Sequence, residues 1–199
     1  MLIVKAPFNV SDEKIMGVVI KHKRWIEKKK KDVQERDPKF SPKEFVSGEG
    51  FLYLGKYYKL NIIDGQSVPL KFENGFFFSR NALLQAKDVF IEWYKKMAYE
   101  KISERACWYA QKRDFRYNKI NITNARKRWG SCSLNKNLNF PWQLIMAPLP
   151  VIDYVIVHEL IHIEEKNHNR LFWNKVKMLI PEYEKHKIWL RKNSYLLRL

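Results

Sequence analysis

The chain has 199 residues, a length that allows one domain or two small ones. Hydrophobic residues make up 46% of it and charged residues 30%, a composition that excludes a disordered polypeptide. Two cysteines cannot form a disulfide framework, and no apolar run reaches bilayer length, so we expect a cytoplasmic protein that does not contact membranes. The formal net charge of +17 predicts attraction to polyanions such as nucleotides or nucleic acid, but a solvated lysine-rich surface explains the same charge equally well.

The N-terminal part of the chain predicts a short strand followed by a helix. The strand is the apolar segment at residues 2–4. The helix should begin after Ser11, because serine is a common N-cap residue, and it should end in the basic run at residues 21–31.

Two hairpins are predicted next. Residues 51–63 alternate and are rich in aromatic side chains, and Gly55-Lys56 provides a turn within them. Residues 70–78 predict the second hairpin, with its turn at residues 73–75, which contain an Asn-Gly pair.

A long helix and a second small sheet are predicted after these hairpins. Residues 81–112 contain no Gly or Pro and carry apolar side chains at helical spacing, which predicts a single helix. A strand at residues 120–122 and a hairpin over residues 129–140 should follow. The predicted buried face of the long helix contains Phe90, Trp93, Tyr94, Met97, Ile102, Ala106 and Tyr109.

The C-terminal region predicts three further helices. Pro148 and Pro150 precede the first, which should run to about Lys166. The second should end before Pro181, and the third should cover residues 182–193. The predicted core residues of the second helix are Phe172, Val176, Met178 and Leu179.

The first of these three helices carries the most informative motif. The segment His158-Glu159-Leu160-Ile161-His162 is an HExxH motif, in which the two histidines at i and i+4 share one helix face. Two imidazoles at this spacing can bind one Zn²⁺, with Glu159 beside them as the general base that activates a zinc-bound water. The helix is largely apolar, so buried polar side chains on it need a function, which argues against a chance motif.

The third metal ligand remains open at this stage. His168 is favoured, because its offset of ten from His158 equals that of the metzincin pattern, although Glu165 stands where that pattern has glycine. We expect Asn167, which tolerates a left-handed backbone, to make the turn instead. The alternative ligands are Glu164 and Glu165, if the helix distorts, and Glu182 and Glu184 from the last helix.

The residues before the motif predict the rim of a substrate cleft. Gly130 permits close approach of a backbone or substrate, and an exposed edge strand there could pair with an extended peptide. Arg128 could bind a carboxylate or phosphate, or form a structural ion pair, and Trp129 is expected to pack in the core. Cys132 is interpreted as a small buried hydrophobe rather than a nucleophile. The candidate substrate-binding residues are Arg126, Arg128, Trp129, Gly130 and Ser131.

Several short motifs follow one another over most of the chain. They are Arg128-Trp129-Gly130-Ser131-Cys132, Leu138-Asn139, Pro150, Asp153-Tyr154-Val155, the HExxH segment, Asn167-His168, Phe172-Trp173 and Pro181-x-Tyr183. In this order they resemble the YgjP-like family, the former DUF45 group of predicted zinc metallopeptidases. The resemblance implies a zincin-like catalytic half, in which the active-site helix packs on a small antiparallel sheet, with metal ligands at His158, His162 and His168.

These observations predict an α+β protein with an N-terminal α/β region at residues 1–80 and a zincin-like, metal-binding catalytic region at residues 81–199. The predicted function is a zinc-dependent hydrolase, namely a metallopeptidase acting on peptide or protein substrates. Two alternatives remain: a metal-dependent nucleotide or phosphoanhydride hydrolase, and a basic nucleic-acid-associated binding protein with zinc. An intact Glu159 argues against the second alternative, because a structural zinc site needs no base. The sequence does not indicate an oligomeric state.

Overall fold

The computed structural model describes residues 4–27, 30 and 42–199, and it is a mixture of helices and small sheets, which confirms the α+β class. The chain divides into two compact units, Met1–Ser41 and Pro42–Leu199. The predicted division at residue 80 falls within the second unit and stays a prediction. In the described part of the chain, no helix is both long and apolar enough to cross a membrane.

The first unit contains helix α1, Asp12–Lys21. Ser11 occupies the predicted N-cap position with an extended backbone, but its side chain makes no capping hydrogen bond. Residues 23–27 are again helical. Residues 2 and 3 of the predicted strand, and residues 28, 29 and 31 of the basic run at residues 21–31, lie outside the described residues.

The second unit begins with a four-stranded sheet that contains both predicted hairpins. Strands β1 (Gly50–Tyr53) and β2 (Lys56–Ile63) are antiparallel, as are β3 (Leu70–Phe72) and β4 (Phe76–Ser79). The strand order is β1-β2-β4-β3, and the central strands β2 and β4 run parallel to each other.

The turn of the first hairpin lies one residue earlier than predicted, at Leu54-Gly55. Both residues have positive φ values, 48° and 79°, as a type I′ turn requires. The two amides donate hydrogen bonds to the carbonyl groups of Ile145 (2.9 Å) and Met146 (3.0 Å). A Cβ atom on Gly55 would lie 2.8 Å from the Cα of Pro148, so the tip of this hairpin is packed tightly against the segment that leads to the histidine helix.

The predicted long helix is present as α2, Ala86–Arg113, and the 3₁₀ helix Arg80–Gln85 precedes it, so the α-helix begins later than the predicted residue 81. Its buried face contacts the aromatic side of the four-stranded sheet. The rings of Phe51 and Phe90 stack with centroids 4.3 Å apart, and the Tyr94 hydroxyl donates to the carbonyl of Leu52 at 2.7 Å. Trp93 and Met97, by contrast, are only half-buried against this core.

A second sheet contains β5 (Ile120–Thr123), β6 (Ser131–Cys132) and β7 (Leu138–Pro141), in the order β5-β7-β6. Strands β6 and β7 form the predicted hairpin, although β6 is only two residues long. The predicted antiparallel sheet is wrong in one respect, because β5 and β7 are parallel. The chain crosses from β5 to the far edge before it returns as the middle strand β7, and this crossover gives β5 and β7 the same direction.

The remaining helices are α3 (Leu149–Ile161), α4 (Arg170–Leu179) and α5 (Tyr183–Asn193), with 3₁₀ helices at Trp142–Met146 and Ser194–Leu196. Helix α3 ends at Ile161 and not near Lys166, and Pro150 lies within its first turn, where a missing N–H costs nothing. Met178 is 63% exposed, contrary to the prediction, because α4 buries the face that contains Phe172 and Val176.

A partly buried ion pair joins α2 to α3. The guanidinium of Arg105 donates two hydrogen bonds, each of 2.6 Å, to the two carboxylate oxygens of Asp153, which is only 7% exposed. The same guanidinium lies 4.9 Å from the ring centroid of Trp108. This bidentate pair therefore fixes the first turns of α3 against the long helix.

We expect Arg105→Met to lower the free energy of unfolding by about 3 kcal/mol, because it leaves the buried Asp153 carboxylate without its partner. The Arg80–Asp64 pair is a matched control, since its atoms are 2.7 Å apart but both side chains are largely exposed. Arg80→Met should change stability far less. Urea unfolding of the two variants measures the difference, and equal losses would contradict a special role for the buried pair.

Candidate active site

The three histidines at the centre of this site are brought together by α3 and the loop that follows it. His158 lies on the last turns of α3, and His162 is the C-cap residue with a helical backbone, so the i, i+4 geometry is preserved. His168 comes from the loop before α4, and its Nε2 lies 2.9 Å from the Nε2 of His158. One nitrogen from each ring falls within 4.8 Å of the others.

Local contacts fix the orientation of these rings. The Nδ1 of His162 lies 2.9 Å from the carbonyl oxygen of Glu165, which leaves Nε2 directed away from that carbonyl. The ring of Phe172 packs against all three imidazoles, with centroid distances of 4.6 to 4.9 Å. Asn169 caps α4 by accepting a hydrogen bond of 2.8 Å from the Phe172 amide. Asn167 does not have the left-handed backbone that was predicted for it.

The electrostatics of the site keep two of the histidines neutral. Burial, together with the charges of His162, His168 and Lys187, lowers the pKa of His158 to about 3. Burial likewise lowers the pKa of His168, and the charges of His162 and Lys187 add to this effect. Neutral imidazole is the form that binds a metal ion. The Nδ1 of His158 is buried and has no hydrogen-bond partner among the described residues.

Glu159 lies beside the histidines and is only 5% exposed. Burial raises the pKa of its carboxyl to about 8, while the positive charge of Arg128 and a hydrogen bond from the Cys132 amide act in the opposite direction. The backbone of Gly130 packs directly on this side chain, because a Cβ atom there would lie 2.5 Å from Oε1 and 2.6 Å from Cγ. Position 130 therefore accepts only glycine if Glu159 is to keep its place.

Strand β6 forms an edge of the second sheet next to Glu159. The Ser133 amide donates to the Asn137 carbonyl at 2.9 Å. In an antiparallel pair, residues that hydrogen-bond to the neighbouring strand alternate with residues that do not. The Cys132 amide therefore faces away from β7 and toward Glu159. The Cys132 side chain is half-buried against the core, and burial raises the pKa of its thiol. A raised pKa is the opposite of what a nucleophilic cysteine needs, in agreement with the sequence interpretation.

The acidic residues considered as alternative metal ligands are engaged elsewhere. Lys175 contacts Glu164 and Glu165, with an N–O distance of 2.7 Å to each carboxylate. Glu182 pairs with Lys185, and Glu184 accepts a hydrogen bond of 3.3 Å from the Tyr183 hydroxyl. Within the described ranges, the histidine triad is the grouping of side chains that could hold a metal ion.

The predicted rim residues are only partly brought to the site. Arg128, Gly130 and Ser131 line a cleft of about 190 Å³. Trp129 is half-buried and packs against the core, as expected. Arg126 is exposed and does not line this cleft.

An aromatic wall beside the triad was missed in the sequence. The ring of Trp173 stacks on His168 with centroids 5.6 Å apart, and Tyr183 also stacks on Trp173 at 5.2 Å. The Nζ of Lys187 lies 4.3 Å from the centroid of the Trp173 ring. Tyr183 and Lys187 are four positions apart in α5, and this spacing could have indicated a shared helix face.

Comparisons with known proteins give one family match. The family model described as YgjP-like, metallopeptidase domain matches residues 1–193. Among solved structures, "Crystal structure of the metallopeptidase zymogen of Pyrococcus abyssi abylysin" is 17% identical with a TM-score of 0.42, and the alignment covers 49% of this chain and 96% of that one. No curated protein matches the chain.

We expect Gly130→Ala to lower the free energy of unfolding by about 1–3 kcal/mol, because the new methyl group would overlap the packed Glu159 side chain. Gly75→Ala is a matched control in the turn between β3 and β4, where the nearest atom to a new Cβ would be 3.6 Å away, an ordinary contact. Denaturant unfolding of both variants measures the difference. A loss at position 130 no larger than that at position 75 would contradict the close contact.

Proposed function

Because this chain belongs to the YgjP-like metallopeptidase family, we propose that it is a zinc-dependent peptidase with ligands His158, His162 and His168 and with Glu159 as the general base. The observation that supports this proposal most directly is the convergence of three imidazole nitrogens beside one buried carboxylate. We further propose that α3 and the sheet β5-β7-β6 form a zincin-like catalytic half.

The donor set fits zinc. It consists of three imidazoles without a carboxylate, and imidazole nitrogen suits this ion, whereas Mg²⁺ and Ca²⁺ prefer oxygen ligands. The contact of the His162 Nδ1 with the Glu165 carbonyl is the kind of outer hydrogen bond that holds a ligand ring in one tautomer. When bound, zinc supplies a Lewis acid that polarises a carbonyl group and lowers the pKa of a coordinated water toward about 7.

Glu159 performs the proton transfers in this proposal. Its carboxylate accepts a proton from the attacking water and then delivers it to the nitrogen of the leaving amine. The backbone of Gly130 limits the movement of the carboxylate, and the Cys132 amide holds one of its oxygens. Burial raises the pKa of this carboxyl to about 8, and the positive charge of Arg128 acts in the opposite direction, toward the ionised form that can accept a proton.

The outer edge of β6 lies next to Glu159 and is the place that we propose for the substrate backbone. The outward amide of Cys132 already donates to Glu159, so the Cys132 carbonyl is the outward group of this strand that is left to accept a hydrogen bond from an extended peptide. In this arrangement Gly130 and Ser131 would lie beside the substrate backbone. Arg128 would lie beside one of its side chains, whereas Arg126 and Trp129 remain proposed contacts outside the described cleft.

The decisive experiment is Glu159→Gln, which keeps the size of the side chain and removes the base. We expect the variant to bind zinc and to keep its thermal stability, but to hydrolyse a peptide library roughly 10²–10⁴-fold more slowly than the wild type. Glu184→Gln, a change of the same kind at an exposed residue, should retain full activity. Unchanged turnover by a zinc-loaded Glu159→Gln protein would exclude this mechanism.

The ligand assignment has a separate test. The wild-type protein should hold about one zinc ion per chain, and His162→Ala should lose it, because two remaining ligands bind the metal weakly. His186→Ala removes a half-buried histidine of α5 that does not belong to the triad, and it should leave the zinc content unchanged. Elemental analysis after dialysis measures all three proteins, and full occupancy in His162→Ala would overturn the assignment.

A further inference from the structure

Arg128 is a cation at the mouth of the site, and its charge acts on the buried Glu159 carboxylate without an ion-pair contact between the two side chains. It is exposed, and it forms no ion pair with any residue that the structure describes. A guanidinium group offers five N–H donors in a planar arrangement that matches a carboxylate. A cation in this position is available to bind a group from outside the protein.

The other polar groups of the cleft are satisfied within the protein. The Asn139 side chain donates to Ser131 Oγ at 3.3 Å and accepts from the Asn121 side chain at 2.9 Å. The Thr123 hydroxyl lies 3.4 Å from the carbonyl oxygen of Phe140. Arg128 is therefore the charged group in a small polar cleft whose floor needs no further partners. The lining residues are Thr123, Ala125, Arg128, Gly130, Ser131, Asn139 and Pro141.

This cleft lies immediately beside the proposed reaction centre. Gly130 belongs to its lining, and the same residue packs on the Glu159 carboxylate. A substrate side chain in the cleft would consequently belong to a residue close to the bond that is cleaved.

A second unpaired cation lies on the side of the triad formed by α4 and α5. Lys187 is exposed, contacts the face of Trp173 at 4.3 Å, and has no ion pair among the described residues. Lys175 contacts the carboxylates of Glu164 and Glu165 near the histidine loop, and its charge balances one of these two negative charges. Arg128 and Lys187 add two positive charges to the approaches of the site, in keeping with the net charge of +17.

We propose that the substrates are acidic peptides, and that Arg128 binds the carboxylate of an Asp or Glu side chain next to the scissile bond while Lys187 attracts a second acidic residue. This inference rests on the proposed peptidase function and names its substrate class. The cleft of about 190 Å³ accommodates one acidic side chain, and it is smaller than the ~300 Å³ lower limit of typical small-molecule pockets. The Cys132 carbonyl on the adjacent outer edge of β6 can accept a hydrogen bond from the backbone amide of a peptide.

The test uses the zinc-loaded protein and pairs of peptides that differ only by Glu or Gln at the positions flanking the cleaved bond. We expect kcat/KM to be roughly 10- to 100-fold higher for the Glu peptide, as for a hydrogen-bonded ion pair. Arg128→Gln should reduce this ratio to about one. Arg128→Glu should invert the preference, so that a Lys peptide is cleaved faster than the Glu peptide, a result that a merely structural role for Arg128 cannot give.

Arg116→Gln is the matched control. It removes the same charge from a side chain that is 85% exposed and lies 3.7 Å from Asp114, away from the cleft. The ratio should remain that of the wild type. Binding of the same peptides to the metal-free protein gives a second measurement that does not need turnover, and the Glu peptide should bind more tightly than the Gln peptide. If Arg128→Gln fails to fold, the ratio of kcat/KM for the Glu and Gln peptides is measured with the wild-type protein and with Arg128→Lys instead.

Three results would overturn the inference. Cleavage of Glu and Gln peptides at equal rates would reject the acidic preference and leave the peptidase proposal standing. Absence of any peptide cleavage by the zinc-loaded protein would reject both proposals together. Release of phosphate from nucleoside triphosphates without peptide cleavage would assign Arg128 and Lys187 to phosphate binding instead.

Discussion

Helix α3 is buried on nearly all sides, and every polar group on it must therefore find a partner inside the protein. An unpaired charge in such a place lowers the free energy of unfolding by several kcal/mol, so neighbouring elements supply partners to the polar side chains of α3. Arg105 approaches from α2 to neutralise Asp153, and β6 approaches from the other sheet to supply an amide to Glu159. Only at His158 is a buried nitrogen left without a partner in the described structure, at the point where chemistry is expected. The helix that carries the motif is thus also the element around which the second unit is arranged.

The parts of the fold that depend on neighbouring residues could be predicted, and those that depend on distant ones could not. Hairpins and the long helix follow from local alternation, turn residues and helical spacing. The parallel pairings β2-β4 and β5-β7 join strands through crossovers, which leave no local signal. Leu54 was not expected in a turn, since a bulky residue disfavours positive φ, and it is held there by the carbonyl of Ile145. Met178 was assigned to the core because it is apolar, although its position on α4 faces solvent.

The site shows the same division. The two histidines at HExxH spacing belong to one helix face, and Glu159 directly follows the first of them, so the proximity of the three residues follows from helix geometry alone. His168 could be proposed from its offset, but the path of the loop could not, because Asn167 does not make the expected left-handed turn. The close fit of Gly130 on Glu159 was only indicated by a glycine near a strand. The Arg105–Asp153 pair joins residues that nothing in either local segment connects, and the aromatic wall around Trp173 depends on how α4 and α5 pack.

The docking of the first hairpin on the segment before α3 has a consequence for how the molecule assembles. Leu54 and Gly55 come from the first third of the chain, whereas their carbonyl partners at Ile145 and Met146 come from its last third. Contacts of such long sequence separation form only after a large loop has closed, and topologies rich in them fold slowly. The hairpin tip and the start of the histidine helix consequently reach their final positions together. The three histidines and the Phe172 ring that packs on them lie within residues 158–172, so a chain still emerging from the ribosome cannot organise this centre before those residues have been synthesised.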